Sequence, residues 1–241
     1  MRRVYQALEL LLDPDYPSGI IYNKQLKKIN NRVGVALKRQ LNEYMNNFFS
    51  ERKDVHLRFE LGEPYENGTH ARINQVIYRV NTLFEEVFEQ ESDIYIYIKD
   101  WESKEDIMFG NTTPNYVYDL LKGYKFEDDT LFELEEDEDD DGVKIQIQHE
   151  YKVRILNETI SSFPYKEILK GICHYEQGRE PSIGQSIYFV NIEKDLVFNM
   201  YDDRGCIVYS KDKEILKPIY IKHNAWIVDY WREYFKSIFD E

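Results

Sequence analysis

Val143, Ile145, Ile147, Tyr151, Val153 and Ile155 alternate with polar residues across thirteen positions. A period of two sends successive side chains to opposite faces, so the run predicts a half-buried antiparallel strand, broken near His149. Shorter runs of the same kind follow from Val55–Leu61, Ile94–Ile98, Ile187–Val190, Leu196–Tyr201 and Cys206–Tyr209, rich in the β-branched and aromatic residues that strands favour. Between them the period changes to three or four, the spacing of an amphipathic helix.

The first helical stripe is short, over residues 3–12, and stops at the turn-forming Asp13-Pro14-Asp15-Tyr16-Pro17-Ser18-Gly19. Leu26, Ile29, Val33, Leu37, Leu41, Tyr44 and Phe48 predict a longer helix from about Lys24 to Phe49, with Gly34 inside it. Thr69 is placed to cap a helix through Ile73, Val76, Val80, Leu83, Phe84 and Phe88. Pro114 and Pro164 each open another, as proline suits a first turn. An aromatic-rich helix from about Lys211 to Phe239 closes the chain, limited or kinked by Pro218. Helices and short antiparallel strands mix without a βαβ rhythm. The class expected is therefore α+β, an antiparallel sheet with packed helices and a helical N-terminal extension.

Charge divides the chain. From Glu127 to Asp141 there are eleven acids and no base, against a whole-chain net charge of −14. Residues 1–53 run the other way, with ten bases and five acids. The expected organisation is a basic helical segment over 1–53 and an α+β domain over 54–241, carrying an acidic loop at about 127–142. Within that loop Glu135, Glu136, Asp137, Glu138, Asp139, Asp140 and Asp141 are candidates for binding a basic protein partner by long-range attraction.

Several function classes are disfavoured. Glu9 interrupts the N-terminal apolar run and no small-residue cleavage site follows it, and no stretch approaches the roughly 20 apolar residues that span a bilayer. A cytoplasmic protein with no membrane association is expected. Cys173 and Cys206 lie in apolar segments and read as buried free thiols. The five histidines are scattered without metal-ligand spacing, and neither a nucleophile elbow nor a phosphate-cradling loop occurs. No catalytic residue, metal or cofactor is assigned. A pI near 4.9 argues against nucleic acid as a partner.

One motif remains. Asp202-Asp203-Arg204-Gly205 sits between two strand-like runs and reads first as a hairpin turn, with Gly205 free to supply a positive φ. Its exposed side chains rank second, as a recognition site. Arg58, Glu60, Glu63, Arg179 and Glu180 are the charged residues that could join Asp202, Asp203 and Arg204 in one polar pocket, with surface ion pairs as the plainer reading.

These stretches also carry a resemblance. LRFELGEPYENGT from Leu57, RINQVIYRVNTLFEEVF from Arg72, IYIYIKDW from Ile94, the run from Pro164 to Asp195, and MYDDRGCIVY through the last tryptophan helix resemble a bacterial family found in bacilli, domain of unknown function 3885. The resemblance covers about residues 57–239 and implies no particular activity. The first functional reading is a protein-binding module of the immunity or inhibitor kind, since Tyr, Trp and Arg dominate interface hot spots. A hydrolase using carboxylates and an arginine is the alternative. Nucleic-acid binding through the basic N-terminal helices is the third.

Overall fold

The computed structural model describes residues 38–46, 48–49, 56–100, 115–138 and 144–240. The chain divides into two compact units, Met1–Arg52 and Lys53–Glu241. In the first, residues 38–46 and 48–49 are helical, with Leu41 and Met45 buried. The helix expected over 3–12, and the start of the basic helix, lie outside the described residues.

The second unit carries a seven-stranded sheet of order β1-β7-β6-β5-β2-β4-β3, antiparallel at every pairing. Its strands are β1 (His56–Glu60), β2 (Asp93–Asp100), β3 (Glu127–Glu138), β4 (Lys144–Thr159), β5 (Ser186–Asn191), β6 (Leu196–Asp202) and β7 (Gly205–Tyr209). The helices are α1 (His70–Val87), α2 (Tyr116–Leu120), α3 (Tyr165–Tyr175), α4 (Lys213–Lys222) and α5 (Asp229–Phe239). The α+β class and the antiparallel sheet with packed helices are as expected.

Alternation builds the core. Leu57 and Phe59 of β1, Ile94, Ile96 and Ile98 of β2, and Phe189, Phe198, Cys206 and Val208 of the meander are fully buried in one cluster with the apolar stripes of α1 and α3. Phe84 of α1 sits at its centre, stacked on Tyr165 at 4.7 Å and edge-on to Phe189 at 4.9 Å and Phe198 at 5.3 Å. Such aromatic pairs add about 0.5–1.5 kcal/mol each beyond the area they bury.

Three expectations about the elements are corrected. Glu127–Glu138 is a strand, not part of a loop: Leu131 faces Tyr151 across the ladder, and the backbone pairing continues to Glu138 opposite Lys144. Acidic residues disfavour strands individually, but a long alternating partner supplies the ladder. Strand β4 runs unbroken through His149 for the same reason. The terminal helix is two helices. Pro218 lies inside α4, and the break comes later, at His223–Val228, where the chain turns to bridge Ile227 to Phe59 and to donate the Val228 N–H to the Arg58 carbonyl.

Candidate recognition cleft

Asp203 and Arg204 form the two-residue connection between Asp202 and Gly205, which face each other at the end of the β6–β7 ladder. The turn is therefore present. Its chemistry differs from the expectation in two ways. Gly205 has no positive φ. A Cβ there would lie 2.5 Å from the Phe59 carbonyl oxygen and 2.1 Å from the Tyr201 hydroxyl, so glycine is required by close approach rather than by conformation. Nor are the aspartates exposed: Asp202 and Asp203 are 4% and 1% accessible, and only Arg204 reaches solvent.

Each aspartate has a guanidinium. Arg72 of α1 donates from Nε to Asp203 Oδ2 at 2.5 Å and from Nη1 to the Tyr65 carbonyl at 2.8 Å. Asp202 accepts the Arg204 backbone N–H at 2.7 Å and its Nε at 2.9 Å. Arg204 also reaches Glu176, just past the C-terminus of α3, at 3.4 Å. Burial, then repulsion from Asp202, pushes the Glu176 carboxyl above its usual range. Oxygens of Glu176, Asp202 and Asp203 lie within 4.8 Å of one another, close enough to share a cation. Arg72 and Arg204 already supply positive charge at that point, so the group acts as an acceptor for guanidinium.

Beside this knot lies an open cleft of about 580 Å³, lined by Arg58, Glu60, Glu63, Tyr65, Arg72, Tyr201 and Arg204 among others. Arg58 and Glu60 are two apart on β1 and so share a face. Tyr201 reaches them through an irregularity. Met200 pairs with Cys206 and Asp202 with Gly205, so Tyr201 is the extra residue of a β-bulge. Bulges re-aim side chains, and here the Tyr201 hydroxyl accepts from Arg58 Nε at 3.1 Å. The rim, residues 62–68, is pinned by α1. Gln75 donates to the Leu61 and Glu63 carbonyls, and Arg79 to those of Glu60, Leu61 and Glu63.

The predicted residues thus divide. Arg58, Glu60, Glu63 and Arg204 line the cleft. Asp202 and Asp203 lie behind it in ion pairs. Arg179 braces the rim from outside, donating to the Gly68 carbonyl at 2.9 Å, while Glu180 is exposed and accepts from Ser182. Neither lines the cleft. Glu135, Glu136, Asp137 and Glu138 are on β3, at the far end of the sheet, and Asp139, Asp140 and Asp141 lie outside the described residues.

Sequence reading missed Arg72, Tyr65, Tyr201 and Glu176. Arg72, Gln75 and Arg79 did leave a signal: spaced by three and four, they form one polar stripe along an otherwise apolar helix. Electrostatically the cleft is uneven. Glu60 is raised by burial first and by Glu63 second, against the pull of Arg72 and Arg58.

Several aromatic side chains are exposed on the surface. Tyr65, Tyr78, Tyr230 and Tyr234 are exposed, Tyr78 and Trp226 meet edge to face at 6.1 Å, and the Arg79 guanidinium lies 5.4 Å from the Trp226 ring. Both cysteines are buried and unpaired by disulfide, and burial pushes the Cys173 thiol up to about 12. Among the described residues no helix is long and apolar enough to cross a membrane.

No solved structure matches the chain. An uncharacterized protein of Bacillus subtilis (strain 168), YnaE, is 26% identical over 198 residues, covering 72% of this chain and 86% of its own. The model of one family matches residues 41–231, taking in the cleft, the knot behind it and the whole sheet. The chain belongs to that family, Domain of unknown function DUF3885.

Proposed function

We propose that the chain is a protein-binding module of the inhibitor or immunity kind, and that the cleft at the β1 edge reads charged side chains of its partner. One observation carries this reading: Arg58 and Glu60 face an open cleft and, among the described residues, neither is in an ion pair, although two arginine–aspartate pairs stand directly behind them. The paired residues hold the shape. Arg58, held by the Tyr201 hydroxyl, and Glu60 keep their charge for a ligand. A half-buried carboxylate opposed by Glu63 gains when a lysine or arginine enters, and Arg58 offers a fork for a carboxylate. Tyr65, exposed on the cleft lining, is of the residue type that dominates protein interfaces.

The test is co-purification from the host, followed by calorimetry with the isolated partner. Arg58→Glu and Glu60→Lys should each weaken binding at least tenfold, and a charge-reversed partner should recover part of the loss. A partner that binds both variants as tightly as the parent refutes the cleft as its site.

A hydrolase is the second reading, favoured by the raised Glu60 carboxyl beside Arg58 and Tyr201. A raised carboxyl is how enzymes keep a general acid protonated. Turnover of ester, amide or phosphoester substrates that disappears in Glu60→Gln would establish it.

A further inference from the structure

At the opposite end of the sheet from the cleft, β3 is the last strand. Six inter-strand steps separate β1 from β3, roughly 29 Å at the usual spacing. The two ends are treated differently. The outer edge of β1 is covered where Ile227 bridges Phe59 and Val228 donates to Arg58. Among the described residues no strand pairs with the outer edge of β3.

Strand β2 pairs with β4 from Lys152 to Thr159, whereas β3 pairs with β4 from Lys144 to Ile155. Among the described residues, β3 from Leu131 to Glu138 and its partner residues in β4 therefore form a two-stranded ribbon beyond the stretch of β4 that pairs with β2. Phe132 is 57% exposed and Ile145 38%, on opposite faces of that ribbon by strand alternation. A two-stranded ribbon has too little core to be stable alone, and its open edge carries a row of backbone donors and acceptors that invites a third strand.

Charge selects the occupant. Strand β3 holds eight acids and no base over twelve residues. Two copies of β3 placed edge to edge would set eight carboxylates against eight, so a second copy of this chain is excluded. The same charge favours a strand with lysine or arginine. We propose that the outer edge of β3 between Thr130 and Glu138 accepts an extended, basic segment of a partner protein as an eighth strand. Backbone hydrogen bonds supply the ladder, and the acids select the partner and speed its approach. This site is independent of the cleft.

The test uses the full chain and a synthetic decapeptide of alternating lysine and valine. Two controls accompany it: the glutamate–valine peptide, and the lysine–valine peptide N-methylated at every amide, which keeps the charge and abolishes the ladder. Amide hydrogen exchange is followed across residues 130–138. The lysine–valine peptide should slow exchange there at least tenfold, and neither control should. Equal slowing by the N-methylated peptide would reduce the effect to charge attraction and overturn the proposal. So would no slowing at all, or outer-edge amides already protected in the chain alone, which would mean that a segment of the chain itself holds the edge. Arg58→Glu, which disables the cleft, should leave the protection unchanged, so the two sites can fail separately.

Discussion

Arg72, in the first turn of α1, and Asp203, at the tip of the β6–β7 hairpin, form a buried ion pair 131 residues apart in sequence. Their side chains are 5% and 2% accessible. A cation near a helix N-terminus opposes the helix dipole, so Arg72 is unfavourable where it stands unless an anion meets it. Asp203 is that anion, and the pair ties the start of α1 to the hairpin that forms the cleft's back wall. Removing either partner leaves an uncompensated buried charge, which costs about 3–5 kcal/mol. Asp203→Ala and Arg72→Ala should each lower the unfolding free energy measured in urea by about that amount. The Arg72→Met/Asp203→Leu double variant should recover most of it, because replacing both charges removes the desolvation penalty as well as the attraction. A double variant as unstable as the sum of the singles would show that the pair's geometry, not its charge balance, matters.

Gly205 makes a second, steric prediction. Its missing Cβ leaves room for the Phe59 carbonyl and the Tyr201 hydroxyl. The carbonyl is backbone and cannot swing aside. Gly205→Ala should therefore destabilise the fold by about 1–3 kcal/mol, the usual range for overpacking, and should displace Tyr201 from Arg58. Gly68→Ala is the contrast, since nothing lies within 4 Å of its added Cβ but its φ is +79°. It should strain the loop without disturbing Tyr201. Unfolding curves measure the first effect, and the Tyr201 ring resonances the second.

Much of the fold was legible because its periods are clean. The alternation of β1 and β2 and the apolar stripe of α1 behind its Thr69 cap, whose Oγ1 accepts the Arg72 N–H at 3.2 Å, follow from neighbours along the chain. Strand β3 was not legible: its acids oppose a strand locally, and only the register with β4 makes one. The site was half legible. Arg58, Glu60, Glu63 and Arg204 were recognisable as charges near strand ends and turns. Tyr201 depends on a bulge, and the burial of Asp203 on an arginine from a distant helix, and neither bulge nor burial leaves a local sequence mark.

The central ring cluster predicts a third stability change. Phe84 touches Tyr165, Phe189, Phe198 and Phe88 with centroids 4.7–5.3 Å away. Phe84→Leu keeps some volume but loses the ring contacts, whereas Phe84→Ala also opens a cavity where α1, α3 and the sheet meet. The alanine variant should cost about 3–5 kcal/mol, and the leucine variant markedly less. Equal losses in chemical denaturation would indicate that the ring geometry outweighs the cavity.

His174 provides the pH prediction. Its Nδ1 lies 3.0 Å from the Pro181 carbonyl oxygen, and a ring donating there satisfies that contact while neutral. Burial, the dominant influence, pushes its pKa below the usual 6.5 despite that hydrogen bond, and Lys170 and Arg179 push the same way. The unfolded chain therefore takes up a proton at higher pH than the folded chain does, and stability rises with pH wherever the unfolded state holds more protons. The contribution is complete above pH 6.5 and is lost as pH falls through 6.5 toward the lower folded value. Glu60 and Glu176, raised by burial, act in the opposite sense: their contribution shrinks as pH rises above 4.5. Between pH 7.5 and 5.5 the urea midpoint of the parent should fall, and His174→Gln, which can still donate a hydrogen bond but cannot ionise, should flatten that fall. A His174 imidazole that titrates at or above 6.5 by NMR in the folded chain would overturn this assignment.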